Sequence, residues 1–319
     1  MKSKQLTGSL AGMISAACYG CSPALALGLY ALHYDAANAL FYRYFAAMVL
    51  MAVILLIKRE KVTLPWKDIK VLAIPGLFFA LSTLTYFISF SYMNAGISAT
   101  ILFLYPIFTA LIMGLAYHEK IKKSIAAAIV LSFMGVFLLH GAEAGGLSPI
   151  GTALAVASAV TYALYIVGIN RSHLFISNDK LTFYLIIFSV LLTAAFMAVN
   201  PTSSLQLPSS WKAWGLIALL GIVPTIISLE LMNVAVVNIG STATAILGAL
   251  EPVTAVALSV IIFHDHITMN LLLGIGLILL GVLLVIVGNS FKPKRIRVYV
   301  RYLGQRMQKE VHRHWRWKS

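Results

Sequence analysis

The stretch Ser98-Ala99-Thr100-Ile101-Leu102-Phe103-Leu104-Tyr105-Pro106, which runs on to His118-Glu119, returns later as Thr244-Ala245-Ile246-Leu247-Gly248-Ala249-Leu250-Glu251-Pro252 and His264-Asp265. Aligning Pro106 with Pro252 fixes an offset of 146, and no gap is needed around it. Working outward at that offset, Ser82 meets Ser228, Gly135 meets Gly281 and Val136 meets Val282. Nearer the start of each half the offset slips to 143. There Gly8, Ser15, Ala16 and Tyr19 meet Gly151, Ser158, Ala159 and Tyr162. The chain therefore reads as two related halves.

Composition states what the halves are made of. Of 319 residues 60% are hydrophobic and 11% charged, against about 25% charged in soluble domains. An integral membrane protein is the class that fits. A membrane helix needs about 20 mostly apolar residues, and ten such segments lie near 6–32, 38–57, 69–91, 97–117, 123–140, 149–170, 180–199, 211–235, 241–263 and 271–290. The joining loops are too short for a soluble domain. The expected fold is an all-α membrane protein of ten transmembrane helices in two five-helix repeats, 1–145 and 146–290, followed by a tail, 291–319.

Five helices per half is an odd number, so the second half enters the membrane from the opposite side and the repeats are inverted. Inverted repeats characterise secondary transporters, with substrate bound near the midplane between them and access alternating by rocking. Orientation follows from Lys and Arg, which favour cytoplasmic loops. With the N-terminus inside, only Lys212 of the 24 Lys and Arg falls outside and Arg43 lies within the second helix. Both termini are expected in the cytoplasm, in an inner or plasma membrane.

The net charge of +14 could signal nucleic acid in a soluble chain, but its placement argues otherwise. Much of it sits in the tail, where Ile296, Tyr299, Val300, Leu303, Met307 and Val311 recur at helical spacing among Lys and Arg. That pattern reads as a cytoplasmic amphipathic C-terminal helix on the anionic inner leaflet, with Trp315 and Trp317 as interfacial anchors. A docking site for a partner is the alternative for the tail. Self-association into a homodimer is left open.

The layout and the recurring pattern of small residues, mid-helix proline and terminal acid resemble the EamA-type transporters of the drug/metabolite transporter superfamily. The residues that carry the resemblance are Ser98, Ala99, Pro106 and Glu119, then Thr244, Ala245, Glu251, Pro252 and Asp265. The resemblance spans about residues 6 to 290. It implies a proton-coupled or gradient-driven exporter with a central cavity between the halves, for an amino acid, a drug-like compound or another small metabolite. The sequence departs from the usual pattern in placing Asp265 between His264 and His266 where a glutamate is more common, and in its basic tail. A lipid carrier or flippase on the same scaffold, and an intramembrane enzyme, are the competing classes.

Several residues are candidates for a substrate or proton pathway. Proline removes an N–H and frees the carbonyl four residues earlier, here Leu102 for Pro106 and Gly248 for Pro252. Paired interruptions in both halves point to a transporter site; kinks satisfied by neighbouring helices are the plainer reading. Gly20 with Pro23, Pro75 with Gly76, and Gly221 with Pro224 invite the same thought. Glu251 falls near the bilayer centre, where an unpaired carboxylate is costly. It should be neutral in a dry site and able to exchange a proton in one that opens to either side; a permanently protonated helix tie is the alternative. Its partner in the first half is Tyr105.

Glu230 either snorkels towards water or lines a pathway. Arg43 either holds a substrate carboxylate or phosphate, or pairs with Asp35 or lipid headgroups. Tyr19 and Tyr162, with Ser15 and Ser158 one turn earlier, suit a cavity wall and suit helix packing nearly as well. Cys18 and Cys21 lie on one face of an apolar helix and read as packing. His264, Asp265 and His266 lack a third ligand in sequence, so no metal is expected. No cofactor is expected either, and no nucleophile elbow, phosphate loop or H-E-x-x-H occurs, which argues against an enzyme.

Overall fold

The structure is a computed structural model that describes all residues except 1, 61, 119–122, 141–145, 173, 175, 202, 265–266 and 291–319. The tail, Glu119, Asp265 and His266 lie outside the described residues. Every regular element among the described residues is helical. In chain order they are α1 (Lys2–Gly20), α2 (Ser22–Tyr30), α3 (Ala36–Ile57), α4 (Trp66–Ser89), α5 (Ala95–Leu102), α6 (Tyr105–Ala116) and α7 (Lys123–His140). The order continues with α8 (Pro149–Arg171), α9 (Asn178–Val199), α10 (Trp211–Gly221), α11 (Ser228–Leu247), α12 (Leu250–Phe263) and α13 (Met269–Ser290). A π-helical segment, Ile222–Ile227, joins α10 to α11.

Among the described residues eight helical stretches are long and apolar enough to cross a membrane, and two shorter apolar helices, Ile125–Leu139 and Leu250–Phe263, accompany them. Burial is reversed relative to a soluble bundle. Phe133, Phe137 and Val237 are 74, 77 and 85% exposed, while Ser98, Ser158 and Ser189 are fully buried. Apolar side chains on the outside and hydroxyls within are what a hydrocarbon solvent demands.

Hydroxyl pairs hold the central helices. Ser15 of α1 donates to the Ser228 carbonyl of α11 at 2.7 Å, and Ser228 donates back to the Ser15 carbonyl at 3.0 Å. Between α4 and α8 the same exchange occurs: Ser82 donates to the Ser158 carbonyl at 2.9 Å and Ser158 to the Ser82 carbonyl at 2.8 Å. The sequence offsets match Ser15 with Ser158 and Ser82 with Ser228, so the second clasp is the counterpart of the first. Small residues permit the approach, with Gly8 against Ile239 on one side and its counterpart Gly151 against Met93 on the other.

At the edge, α7 packs on α13. A Cβ at Gly135 would sit 2.8 Å from the Gly274 carbonyl oxygen, and one at Gly281 would sit 2.9 Å from the Ala128 carbonyl oxygen. Backbone meets backbone there, and these atoms cannot swing aside. Elsewhere α3 packs on α9, α1 on α12 and α6 on α8.

Four of the segments expected to be continuous helices are interrupted. The first breaks at Cys21, one residue before α2 and two before Pro23. The fourth breaks at Phe103–Leu104, just ahead of Pro106, and the ninth at Gly248–Ala249, ahead of Pro252. The eighth passes through the π-helical segment that contains Pro224. The physical reason is common to all: proline has no N–H and its ring clashes with the preceding turn, so the helix restarts with proline in its first turn or widens around it. Pro75 behaves differently and stays inside α4, its ring packed against Gly168 of α8. Within α11 two helices meet at a kink at Gly240, whose φ of +84° suits a residue without a Cβ.

Valine at Gly135 or at Gly281 should destabilise the bundle by about 1–3 kcal/mol, the usual cost of overpacking. Gly276→Ala, where an added Cβ meets nothing, should leave stability unchanged or slightly higher. Thermal unfolding in detergent, followed by light scattering or thiol reactivity, distinguishes the two positions.

Candidate functional site

The broken helices converge on two adjoining chambers in the middle of the bundle. One, of about 220 Å³, is lined by Gly12, Ser15, Tyr19, Tyr105, Tyr162 and Glu251 among others, and also by Leu102 and Gly248. These last two are the residues whose carbonyls the paired prolines release. The Gly248 carbonyl is retaken by the Glu251 N–H at 2.9 Å in a tightened turn. A second chamber, of about 290 Å³, is lined by Arg43, Tyr44, Phe79, Tyr165 and Thr225 on its inner side and by Asn178 and Asn233 towards the α9 N-terminus. Tyr19, Tyr162, Leu229, Met232 and Val236 face both, so the chambers share a wall.

The aromatic lining is one connected group. Tyr105 and Tyr162 meet edge to face at 4.7 Å, Tyr162 lies 5.4 Å from Tyr165, and Tyr165 lies 5.1 Å from Phe79. Rings packed this way brace one another and keep the chamber from collapsing.

Arg43 is 2% exposed, and the groups it touches directly are neutral. Its Nε donates to Thr225 Oγ1 at 3.1 Å and its Nη1 to Ser22 Oγ at 2.8 Å. The rings of Tyr44, Phe87 and Tyr19 lie 5.3, 5.5 and 5.9 Å from the guanidinium carbon. Each such contact contributes about 0.5–2 kcal/mol. Among the described residues no carboxylate pairs with it. Asp35, one of the partners weighed from sequence, instead caps α3 by accepting from the Asn38 N–H at 2.8 Å and from the Ser203 hydroxyl. The π-helical turn explains Thr225: the widened backbone at Pro224 rotates this hydroxyl towards α3, and Gly221 lets α10 approach the Arg43 carbonyl.

Glu251 opens α12 and faces the smaller chamber. Among the described residues no hydrogen bond or ion pair reaches its carboxylate. Gly20 is pressed on the Glu251 backbone: a Cβ there would lie 2.6 Å from the Glu251 carbonyl oxygen. The phenols of Tyr19, Tyr86, Tyr105 and Tyr162 and the Arg43 guanidinium are the groups within electrostatic reach of the carboxylate.

The remaining residues singled out in the sequence fall around this centre. Ser15 borders the smaller chamber, whereas Ser158 is fully buried in its clasp with Ser82. Glu230 faces away from both chambers and towards Lys58, 3.5 Å off; Lys58 also reaches Asp179 at 2.7 Å. Lys58 thereby ties α3 to α9 and α11 at one end of the larger chamber, where Asn178 also donates to Asn233 at 3.2 Å. The hydrogen bond to Asp179 holds the Lys58 ammonium above the usual lysine range, so it stays charged. Its half-exposed position keeps the energetic worth small. Pro106 and Pro252 lie just behind the chamber-lining breaks. Cys18 and Cys21 are free thiols.

Tyr44, Phe79, Thr225 and Met232 line the chambers without having been singled out by sequence. Only Thr225 had a nearby signal, its neighbour Pro224. The others carry ordinary helix residues whose facing depends on how the helices rotate.

Comparison with known proteins places this geometry in a family. The model of the EamA-like transporter family matches twice, over residues 6–141 and 149–287. An uncharacterized transporter of Synechocystis sp. is 27% identical over 201 residues, 62% of this chain; the match spans 60% of that relative's length. The uncharacterized transporter YvbV of Bacillus subtilis is 29% identical over 231 residues, 71% of this chain and 73% of its own. A protein of known crystal structure, 20% identical, superposes with a TM-score of 0.59 over 89% of this chain and 96% of that one. At that identity the likeness shows the fold alone. With both matches together spanning nearly all of the chain outside the tail, this multi-span helical membrane protein belongs to the EamA-like transporter family.

Proposed function

We propose that this protein is a secondary active transporter that exports a small metabolite by alternating access, driven by proton exchange at Glu251. The observation that carries the reading is an unpaired carboxylate and an unpaired guanidinium facing adjoining chambers whose walls come from both halves of the chain. Ten spans arranged as two inverted five-helix units, 1–145 and 146–290, account for the reciprocal serine clasps, since an inverted repeat makes each contact twice. The tail, 291–319, lies as a basic amphipathic helix on the inner leaflet, and both termini are cytoplasmic.

Volume narrows the cargo. Pockets for drug-sized ligands run to about 300–1,000 Å³, and the two chambers, about 220 and 290 Å³, each fall below that range. Small solutes fit better than bulky drugs or lipid chains. Glu251 suits proton exchange because among the described residues it has no partner that would hold it in one protonation state, and because the Gly248 break keeps α12's first turn beside the cavity. The Lys58 tie across α3, α9 and α11 is weak enough to part and reform as one end opens.

In proteoliposomes, Glu251→Gln should abolish uptake driven by a pH gradient while leaving solute exchange at equal pH measurable. Unchanged gradient-driven uptake would contradict the proton role. In a background of Cys18→Ser and Cys21→Ser, Lys212→Cys should react with a membrane-impermeant maleimide in intact cells, and Ser319→Cys only after permeabilisation. The opposite labelling would reverse the orientation.

A further inference from the structure

We infer that the connections leaving α3 and α9 are reciprocal straps that keep these two helices together as one body through the transport cycle, so that the larger chamber opens between that pair and α11. This rests on the transport reading above and adds to it which parts of the bundle move.

Each helix is gripped at its start by the connection that leaves the other. After α9 the chain lies across the start of α3. Tyr42 donates to the Gln206 carbonyl at 2.8 Å. The Asn38 side chain pairs with the strap's backbone, donating to the Ser204 carbonyl at 2.9 Å and accepting from the Gln206 N–H at 3.0 Å. Asp35, the N-cap of α3, accepts from the Ser203 hydroxyl. After α3 the chain lies across the start of α9 in the same manner. Tyr184 accepts from the Leu64 N–H at 3.0 Å and donates to the Val62 carbonyl at 3.3 Å. Ser177, the N-cap of α9, donates to Glu60 Oε2 at 2.7 Å, and Lys58 reaches Asp179 at 2.7 Å.

The two straps are counterparts. The offset of 142 that matches Phe41-Tyr42 with Phe183-Tyr184 also matches Asp35 with Ser177. At both ends, therefore, the matching tyrosine and the matching capping residue hold the strap. Carboxylate and hydroxyl exchange places between Asp35 with Ser203 and Ser177 with Glu60. Each phenylalanine meets its tyrosine edge to face, at 5.5 and 5.9 Å. Contacts made twice, with the chemistry kept while the residues change, are what two copies of one device look like.

Mechanics follow from where the straps sit. α3 and α9 pack on each other, and the start of each lies beside the end of the other, so the straps tie the pair at both ends. Splaying either end breaks several hydrogen bonds at once, and in hydrocarbon the released groups find no other partner. At the end near α3's start they include those of Asn38, which is fully buried. α11 is joined to the pair more loosely, by the exposed Asn178–Asn233 hydrogen bond at 3.2 Å and the half-exposed Lys58–Glu230 contact at 3.5 Å, and it packs on α1. The Lys58–Glu230 contact is the part of the Lys58 tie that gives way, while Lys58 and Asp179 stay with the pair.

Locking both straps in the full chain, in lipid nanodiscs, tests this. In a background of Cys18→Ser and Cys21→Ser, the pairs Asp35→Cys with Ser203→Cys and Glu60→Cys with Ser177→Cys are bridged by a short bis-methanethiosulfonate, and intact mass counts the bridges. Ketone-reactive spin labels on p-acetylphenylalanine in place of Lys180 and Val237 report the α9–α11 distance by double electron–electron resonance. Both bridges should form in one molecule. The bridged protein should keep the two distance populations of the unbridged protein and their shift between neutral and acid media, whereas bridging Asn178→Cys to Asn233→Cys should leave one population. Size-exclusion profiles equal to the parent confirm folding. If a cysteine pair misfolds, hydrogen exchange of the unmodified chain decides: the Gln206 and Leu64 amides should stay protected in both media after correction for intrinsic rates. Loss of a population on bridging either strap, bridges that exclude one another, or deprotection of one of these amides on changing the medium would overturn the inference while alternating access stands. A single unchanging distance in the unbridged protein would count against both.

Discussion

Two pairs of serines, each hydroxyl donating to the other's backbone carbonyl, hold the centre of this bundle together, and most of the remaining arrangement follows from the constraint they satisfy. Hydrocarbon offers no hydrogen-bond partner, so a buried hydroxyl must find one inside the protein. Ser15 with Ser228, and Ser82 with Ser158, do so reciprocally. Two turns away, Gly8 and Gly151 let α1 and α8 approach Ile239 and Met93 closely. In lipid such contacts supply packing and polar satisfaction together, since no hydrophobic effect drives helix on helix.

The same constraint shapes the cavity. A break in a membrane helix exposes backbone groups, and it is tolerated where those groups line a polar space. The breaks at Phe103–Leu104 and Gly248–Ala249 lie on the smaller chamber, and the π-helical turn at Ile222–Ile227 lies on the larger. Proline thus does two things here. It interrupts the helix, and by widening α10's continuation it aims Thr225 at Arg43. Arg43 is then oriented by neutral groups.

Much of this was legible in the sequence because membrane helices write themselves in one dimension. The offset of 146 matches Pro106 with Pro252 and Ser82 with Ser228 from the sequence alone, and the apolar runs locate the helices to within a few residues. Glu251 stood out because a carboxylate in the middle of such a run is costly. What could not be read were partnerships across the bundle. Thr225 is 182 residues from Arg43, and Ser228 is 213 from Ser15, and helix rotation decides which faces meet. Glu230 illustrates the difference: its depth leaves snorkelling and a pathway role equally open, and its ion-pair neighbour, Lys58, comes from a distant part of the chain. The interruptions at Cys21 and at Phe103–Leu104 had their signals in Pro23 and Pro106, but a proline in Pro75's position left α4 unbroken. Local sequence does not distinguish the two outcomes; the glycine-backed groove at Gly168 that receives the Pro75 ring does.

The proposed alternating access makes a direct demand on the end of the bundle where Lys58 meets Asp179 and Glu230. Spin labels at Lys180→Cys on α9 and Val237→Cys on α11, with Cys18 and Cys21 replaced by serine, report the opening there by double electron–electron resonance in lipid nanodiscs. Two distance populations, whose proportions shift when the medium is taken from neutral to acid, are the predicted result. A single distance that stays the same across that range would contradict a bundle that opens and closes at this end.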